Sequence, residues 1–223
     1  MTTVNFDKQI CFYNEVYSFL DKSWLTKLNK ISDTYIKDAK NRNKNEIVKR
    51  NKLYNKDIKD RGFVHHSGSL LEDKDFFNFQ KFIAKFSWNI LNEQGYKMEI
   101  YDMMITELWV QEFSLNGGGY HNSHIHEDNN ISGFYFLKCS EKTSYPVFYD
   151  PRIGKAMTHL KERDPSKITS MSEKINYKPK PGTFIFFNSF MPHEFVVDDG
   201  IEPFRFIHFN IKATPKNKII KTF

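Results

Sequence analysis

Three histidines fall within six residues of the segment HNSHIH: His121, His124 and His126. Neutral imidazole is the side chain most often used to bind a transition metal. On an extended segment, residues two apart project to the same side, because strand side chains alternate. His124 and His126 can therefore bind one cation while Ile125 points away. A third ligand has to come from elsewhere in the chain, and FFNSFMPHEF offers His193. That residue follows a proline at the end of the most apolar strand, which puts an imidazole at the mouth of a buried core. Beyond it, Arg205 opens the run RFIHFNI. An arginine among Phe204, Phe206, Ile207 and Phe209 is costly to bury unless a carboxylate partners it. A small-molecule carboxylate would meet that need.

The elements that must position these residues are readable from pattern. After Gly95 the chain alternates, or runs apolar, over strand lengths in KMEIYDMMITELWVQEFS, ISGFYFLKC, YPVFYD, GTFIFFNSF, HEFVV and PFRFIHFNIKA. Glycine and proline punctuate these runs, as expected for short strands joined by turns. The polar stretch from Ile153 to Lys174 interrupts them and reads as a mobile insertion between strands. Two helices precede the strands. One spans about Asp21 to Asn41, with Leu25, Leu28, Ile31, Tyr35 and Ile36 on one face and Ser23 at its start. The other spans about Asp73 to Gly95, with Phe79, Phe82, Ile83, Phe86 and Ile90 repeating at three and four residues. Helices first and strands second predict an α+β domain in which helices brace an antiparallel β sandwich or barrel. The expected organisation is a single domain: helical support over 1–96, the β core over 97–213 and a basic tail over 214–223.

Phe 22, Tyr 11 and Trp 3 in 223 residues supply ample large apolar surface for one core, which argues against a disordered chain. No apolar run approaches the length of a membrane span, and the N-terminus lacks the pattern of a signal peptide. Cys11 and Cys139 form no framework, so a reducing compartment, the cytoplasm, is expected. The net charge of +6 raises nucleic acid as a partner. Much of the excess lies in Lys37 to Arg61, interleaved with Asn and acidic residues and without stacking aromatics. The expectation is a solvated polar helix, with nucleic acid an unlikely partner.

Several blocks stand in a telling order: HIHEDNNISGFYFL, VFYDPR, FIFFNSFMPHE and FRFIHFN. Together they resemble a family of 2-oxoglutarate- and iron(II)-dependent oxygenases found in phages and marine bacteria, over about Trp109 to Asn210. Its signature reads H-x-H, S-G-x-Y-Y, D-P-R, F-P-S-x-x-x-H and then R. The resemblance implies a double-stranded β-helix and a dioxygenase that hydroxylates a small molecule, peptide or nucleotide and releases succinate and CO2. Carried over residue by residue, it implies that His124, His126 and His193 bind Fe(II) and act as the catalytic centre. It implies that Arg205 clamps the distal carboxylate of 2-oxoglutarate, with O2 as the other cosubstrate. Ser132 could add a hydroxyl to the cosubstrate pocket, and Asp150, Pro151 and Arg152 form a structural turn at its rim.

The departures from the family pattern leave alternatives open. The wider superfamily carries a carboxylate where His126 stands, and Asp128 could take that place in an H-x-D arrangement. Phe136 replaces a family tyrosine, and Ile207 stands where relatives have serine, each removing a hydroxyl that the resemblance would aim at 2-oxoglutarate. Two other classes fit parts of the pattern: a cupin-like three-histidine metal enzyme without 2-oxoglutarate, and a non-catalytic binding module. The other histidines read as bystanders. His65, His66 and His159 are expected at the surface, His121 solvated or behind the ligands, and His208 outside the pocket because it alternates with Arg205. Trp109 and Tyr120 read as packing residues.

Overall fold

The computed structural model describes residues 7–11, 14–152, 154, 157, 160–169 and 171–216. His159 and the last seven residues of the basic tail lie outside the described residues. The strands are β1 (Asp7–Cys11), β2 (Asn14–Leu20), β3 (Val64–His66), β4 (Tyr101–Phe113), β5 (His121–His124) and β6 (Ile131–Lys138). They continue with β7 (Pro146–Tyr149), β8 (Lys174–Asn176), β9 (Thr183–Asn188), β10 (His193–Phe195) and β11 (Arg205–Pro215). Two helices, α1 (Leu25–Leu53) and α2 (Phe77–Glu93), stand in the first half of the chain.

The strands form two sheets, ordered β1-β2-β9-β6-β11-β4-β3 and β5-β10-β7-β8, with antiparallel pairing throughout. From β4 to β11 the chain passes back and forth between the sheets, and only β7 and β8 are successive members of one sheet. That winding is the double-stranded β-helix the sequence implied, and the domain is α+β.

Side-chain alternation on the larger sheet divides its two faces. The inner face turns toward the smaller sheet and carries Phe134, Phe136, Ile185, Phe187 and Phe206, packed with Phe148, Phe195 and Phe204. The outer face carries Tyr135, Phe184, Phe186, Ile207 and Phe209 and is covered by the helices. Gly133 has a specific reason to be glycine: a Cβ there would lie 2.3 Å from the Phe209 ring and 2.4 Å from the carbonyl oxygen of Ile185.

Helix α2 follows a short 3-10 turn whose Asp73 accepts a hydrogen bond from the Asp75 backbone N–H at 2.9 Å, and it stops before Gly95 at φ +94°. It buries Phe79, Ile83, Phe86 and Ile90 on one stripe. Helix α1 is longer than the sequence pattern predicts. It buries Leu28, Ser32, Ile36 and Ala39, then continues through the Asn-Lys segment as an exposed extension. Lys, Glu and Arg are good helix formers, and no Gly or Pro stops the helix before Tyr54. Several of its cations are engaged within the chain: Lys49 with Glu46, Lys40 with Glu112, and Arg42 with the His66 carbonyl. Strand β2, which pattern reading missed, adds an edge to the larger sheet beside β9. No helix among the described residues is long and apolar enough to cross a membrane.

Candidate metal centre

His124 ends β5 and His193 begins β10, and the antiparallel register sets them directly opposite one another. His126 lies just past β5, in a segment fastened by its own backbone N–H to the Ser189 carbonyl at 2.9 Å. One ligand atom from each of His124, His126 and His193 can be chosen so that all lie within 4.8 Å of one another. His124 is exposed and His193 fully buried, so the cluster sits at the end of the barrel with one side toward solvent.

The hydrogen bonds around the cluster fix which nitrogens face inward. His193 Nδ1 lies 3.0 Å from the Met191 carbonyl, and His124 Nδ1 lies 2.7 Å from the Asn122 carbonyl. A carbonyl only accepts, so each Nδ1 carries the proton and each Nε2 is a lone-pair donor. His126 Nδ1 meets the Ser132 hydroxyl at 2.7 Å. Ser132 in turn donates to Asn210 Oδ1 at 2.6 Å, and Asn210 Nδ2 donates to Glu107 Oε2 at 2.8 Å. That chain of bonds also leaves His126 Nε2 free. His193 Nε2 is buried without a partner, and His124 Nε2 and His126 Nε2 lie 3.1 Å apart. Three convergent lone pairs without a shared proton suit a cation, which bonds imidazole at about 2.0–2.1 Å. Burial, with the neighbouring imidazoles, pushes His126 down to about 2. Burial also takes His193 down to about 3, against an opposing bond to the Met191 carbonyl. Both are therefore neutral near neutral pH, the form of imidazole that can bind a metal.

A cavity of about 70 Å³ adjoins the triad and is walled by Trp109, His121, Phe134, Phe195, Phe206 and His208. His208 corrects the sequence reading, since it lies inside the pocket and Arg205 outside it. Arg205 stands opposite Glu112 on β4 and on the helix-covered face. Its Nε donates to Glu112 Oε2 at 2.8 Å, its Nη2 approaches the same oxygen at 2.6 Å, and its Nη1 reaches Asp33 Oδ1 on α1 at 2.6 Å. The buried arginine thus has its carboxylates from the protein itself. Side chains alternate along this stretch, so Phe204 and Phe206 join the inner core while Arg205, with Ile207 and Phe209, faces the helices.

Ser132 is buried at the site, yet its hydroxyl is occupied by His126, Asn210 and Ser189. It orients the His126 ring, and its bonding leaves little capacity for a cosubstrate. Asp128 is not part of the cluster: it lies at φ +59° with its carboxylate exposed and paired to Lys212 at 2.6 Å. His65 is not at the surface either. It is buried, with Nε2 2.8 Å from Asp60 Oδ2, in a network that joins α1 to the loop before β3. Asn210, Glu107 and Ser189 support the site and escaped the sequence reading. The signal that could have found Asn210 is its even spacing from Phe204 and Phe206 along one face of β11.

Residues 107–210 match a family model described as "Putative 2OG-Fe(II) oxygenase". The match supports the 2OG-Fe(II) oxygenase family for the β-helix core, and that family implies Fe(II) and 2-oxoglutarate as cofactors. No curated protein matches the chain. Among solved structures, the chain is similar to a 2OG-Fe(II) oxygenase family oxidoreductase from Burkholderia pseudomallei, at 12% identity and a TM-score of 0.40, covering 64% of this chain and 54% of that one. A second is the non-heme alpha ketoglutarate dependent epimerase SnoN from nogalamycin biosynthesis, at 10% identity and a TM-score of 0.47, covering 71% and 65%. A third is a Pseudomonas putida prolyl-4-hydroxylase, at 11% identity and a TM-score of 0.44, covering 67% of each chain. The chain thus spans just over half of the Burkholderia protein. The triad fits the iron this oxygenase family implies. For the far carboxylate of 2-oxoglutarate, no Lys or Arg lines the cavity among the described residues.

Proposed function

We infer that this chain is a non-haem iron(II) oxygenase, with His124, His126 and His193 as the iron ligands and a 2-oxo acid as cosubstrate. The single observation that carries the reading is the convergence of three imidazole Nε2 atoms whose Nδ1 atoms are each hydrogen-bonded behind them. Bound iron would supply the activation of O2, coupled to decarboxylation of the cosubstrate and oxidation of a second molecule. The protein's own part is positional. Asn122 and Met191 carbonyls and the Ser132 hydroxyl hold the three rings, and the phenylalanine wall keeps the inner side of the site dry. In the family's usual outcome the second molecule, a small molecule, peptide or nucleotide, is hydroxylated, with release of succinate and CO2 from 2-oxoglutarate. Kinship with the phage and marine bacterial members and a cytoplasmic setting belong to the same proposal.

One observation favours a second reading: Arg205 lies away from the cavity, as it would in a cupin-like three-histidine enzyme that uses no 2-oxo acid. The test is release of labelled CO2 from the C1 carboxylate of 2-oxo acids by iron-loaded protein under air. Release that disappears in His193→Ala supports the oxygenase. Iron binding without any such release supports the second reading.

A further inference from the structure

We propose that the cosubstrate subsite of this chain selects a 2-oxo acid with a short uncharged tail over the dicarboxylate 2-oxoglutarate. The inference rests on the reading that the centre is a 2-oxo-acid-dependent iron oxygenase. Every 2-oxo acid presents the same chelating end, a carboxylate and an adjacent carbonyl, so the tail decides selection.

The wall that would meet the tail is built from Phe134, Phe195 and Phe206, with the Trp109 indole beside them. A carboxylate buried against such a wall loses its hydration with nothing to replace it, whereas an apolar tail gains from leaving water. The one arginine near this end of β11 is held on the opposite face by Glu112 and Asp33. Two polar atoms on the inner side are also of the wrong kind for an anion. His208 Nε2 faces the Glu107 carboxylate at 3.7 Å, which draws the imidazole proton to that side and leaves the buried, unpartnered Nδ1 as an acceptor. Gln111 Oε1, on the same inward parity, is likewise a buried acceptor without a partner. Size points the same way. The cavity of about 70 Å³, which the three histidines themselves help to line, is roughly the share of two waters and favours a short tail over a long one.

The reaction balances with dioxygen as oxidant. The C1–C2 bond of the 2-oxo acid breaks, C1 leaves as CO2, and C2 gains one oxygen atom to become a carboxylate. The second oxygen atom enters a C–H bond of the substrate, whose hydrogen is retained as hydroxyl. The 2-oxo acid and the substrate each give up two electrons, and O2 takes four.

The experiment is an anaerobic titration of the iron(II)-loaded protein with pyruvate, 2-oxobutanoate, 3-methyl-2-oxobutanoate and 2-oxoglutarate. It is read by the visible charge-transfer band of the chelate and by calorimetry. At least one uncharged-tail acid is expected to bind tenfold or more tightly than 2-oxoglutarate. Binding of 2-oxoglutarate as tight as, or tighter than, all three would overturn the proposal while leaving the oxygenase reading intact. Failure of every acid to bind iron-loaded protein would overturn both. Phe206→Arg, which puts a cation on the inner wall, is expected to shift the ranking toward 2-oxoglutarate. A folded, iron-binding Phe206→Arg protein with the wild-type ranking would count against selection by this wall. Should that variant fail to fold, the wild-type ranking remains a sufficient test.

Discussion

Replacing Arg205 separates a structural arginine from a cosubstrate clamp. Arg205 and Glu112 are both almost fully buried, at 4% and 5% side-chain exposure, whereas Asp33 is 62% exposed. The contact with Asp33 is therefore worth at most about 1 kcal/mol. Removing one partner of a buried pair costs about 3–5 kcal/mol, because the other charge is left without compensation. Here Lys40 still reaches Glu112 Oε1 at 2.5 Å, which reduces the cost. Arg205→Met is thus expected to lower the unfolding free energy by about 3 kcal/mol, measured by denaturant titration. In Arg205→Met/Glu112→Leu most of that loss should return, since an apolar pair leaves no buried charge. Lys40 and Asp33 are exposed enough to turn to water. The folded Arg205→Met protein should bind iron and 2-oxo acids as the wild type does. Unchanged stability together with a tenfold or greater loss of 2-oxo acid affinity would refute this reasoning and return Arg205 to the pocket.

Three other outcomes are expected. Ser132→Ala should weaken iron binding roughly 10–100-fold, as loss of a ligand's supporting bond generally does, and competition with a chelator measures it. For Asp60, burial alone would raise the carboxyl, but hydrogen bonds from Ser114, Asn116 and His65 outweigh it and bring the group down to about 2. A depressed carboxyl contributes stability above its unfolded value and loses it as pH falls through the folded value. The stability gap between wild type and Asp60→Asn should therefore be full above pH 4 and close toward pH 2; a gap constant over that window would contradict it. Gly133→Ala should cost roughly 1–3 kcal/mol or more, because the new Cβ meets the Ile185 carbonyl, which cannot rotate away; a thermal melt reads the loss.

The histidine cluster was legible because the chemistry of metal binding depends on residue type and short spacing. His124 and His126 are neighbours along the chain, and His193 follows the most apolar run. The antiparallel β architecture was legible from apolar runs of strand length with glycine and proline turns between them, and the double-stranded β-helix from the resemblance carried by the ordered motif blocks. Arg205 and His208 were read with the wrong parity. On a strand a slip of one residue exchanges the two faces, and the run into β11 is apolar on both, with Phe204 and Phe206 inward and Ile207 and Phe209 outward, so no pattern in the sequence marks the inner one. Counting inward from Asn210 instead gives His208 and Phe206, the residues on the cavity wall. The true partners of Arg205 were hidden by distance. Glu112 is 93 residues away and Asp33 172, and periodicity carries no information about which carboxylate crosses such a span. His65 was misread for a similar reason, because a polar connection normally runs over the surface, whereas here α1 extends far enough to cover it.

The central claim is that three histidines hold one iron, and metal stoichiometry tests it most directly. Apo-protein loaded anaerobically with Fe(II), freed of excess metal and analysed should hold one iron per chain. His126→Ala and His193→Ala should each hold almost none, and Asp128→Ala should match the wild type. Equal iron in the histidine variants, or its loss in Asp128→Ala, would contradict the account.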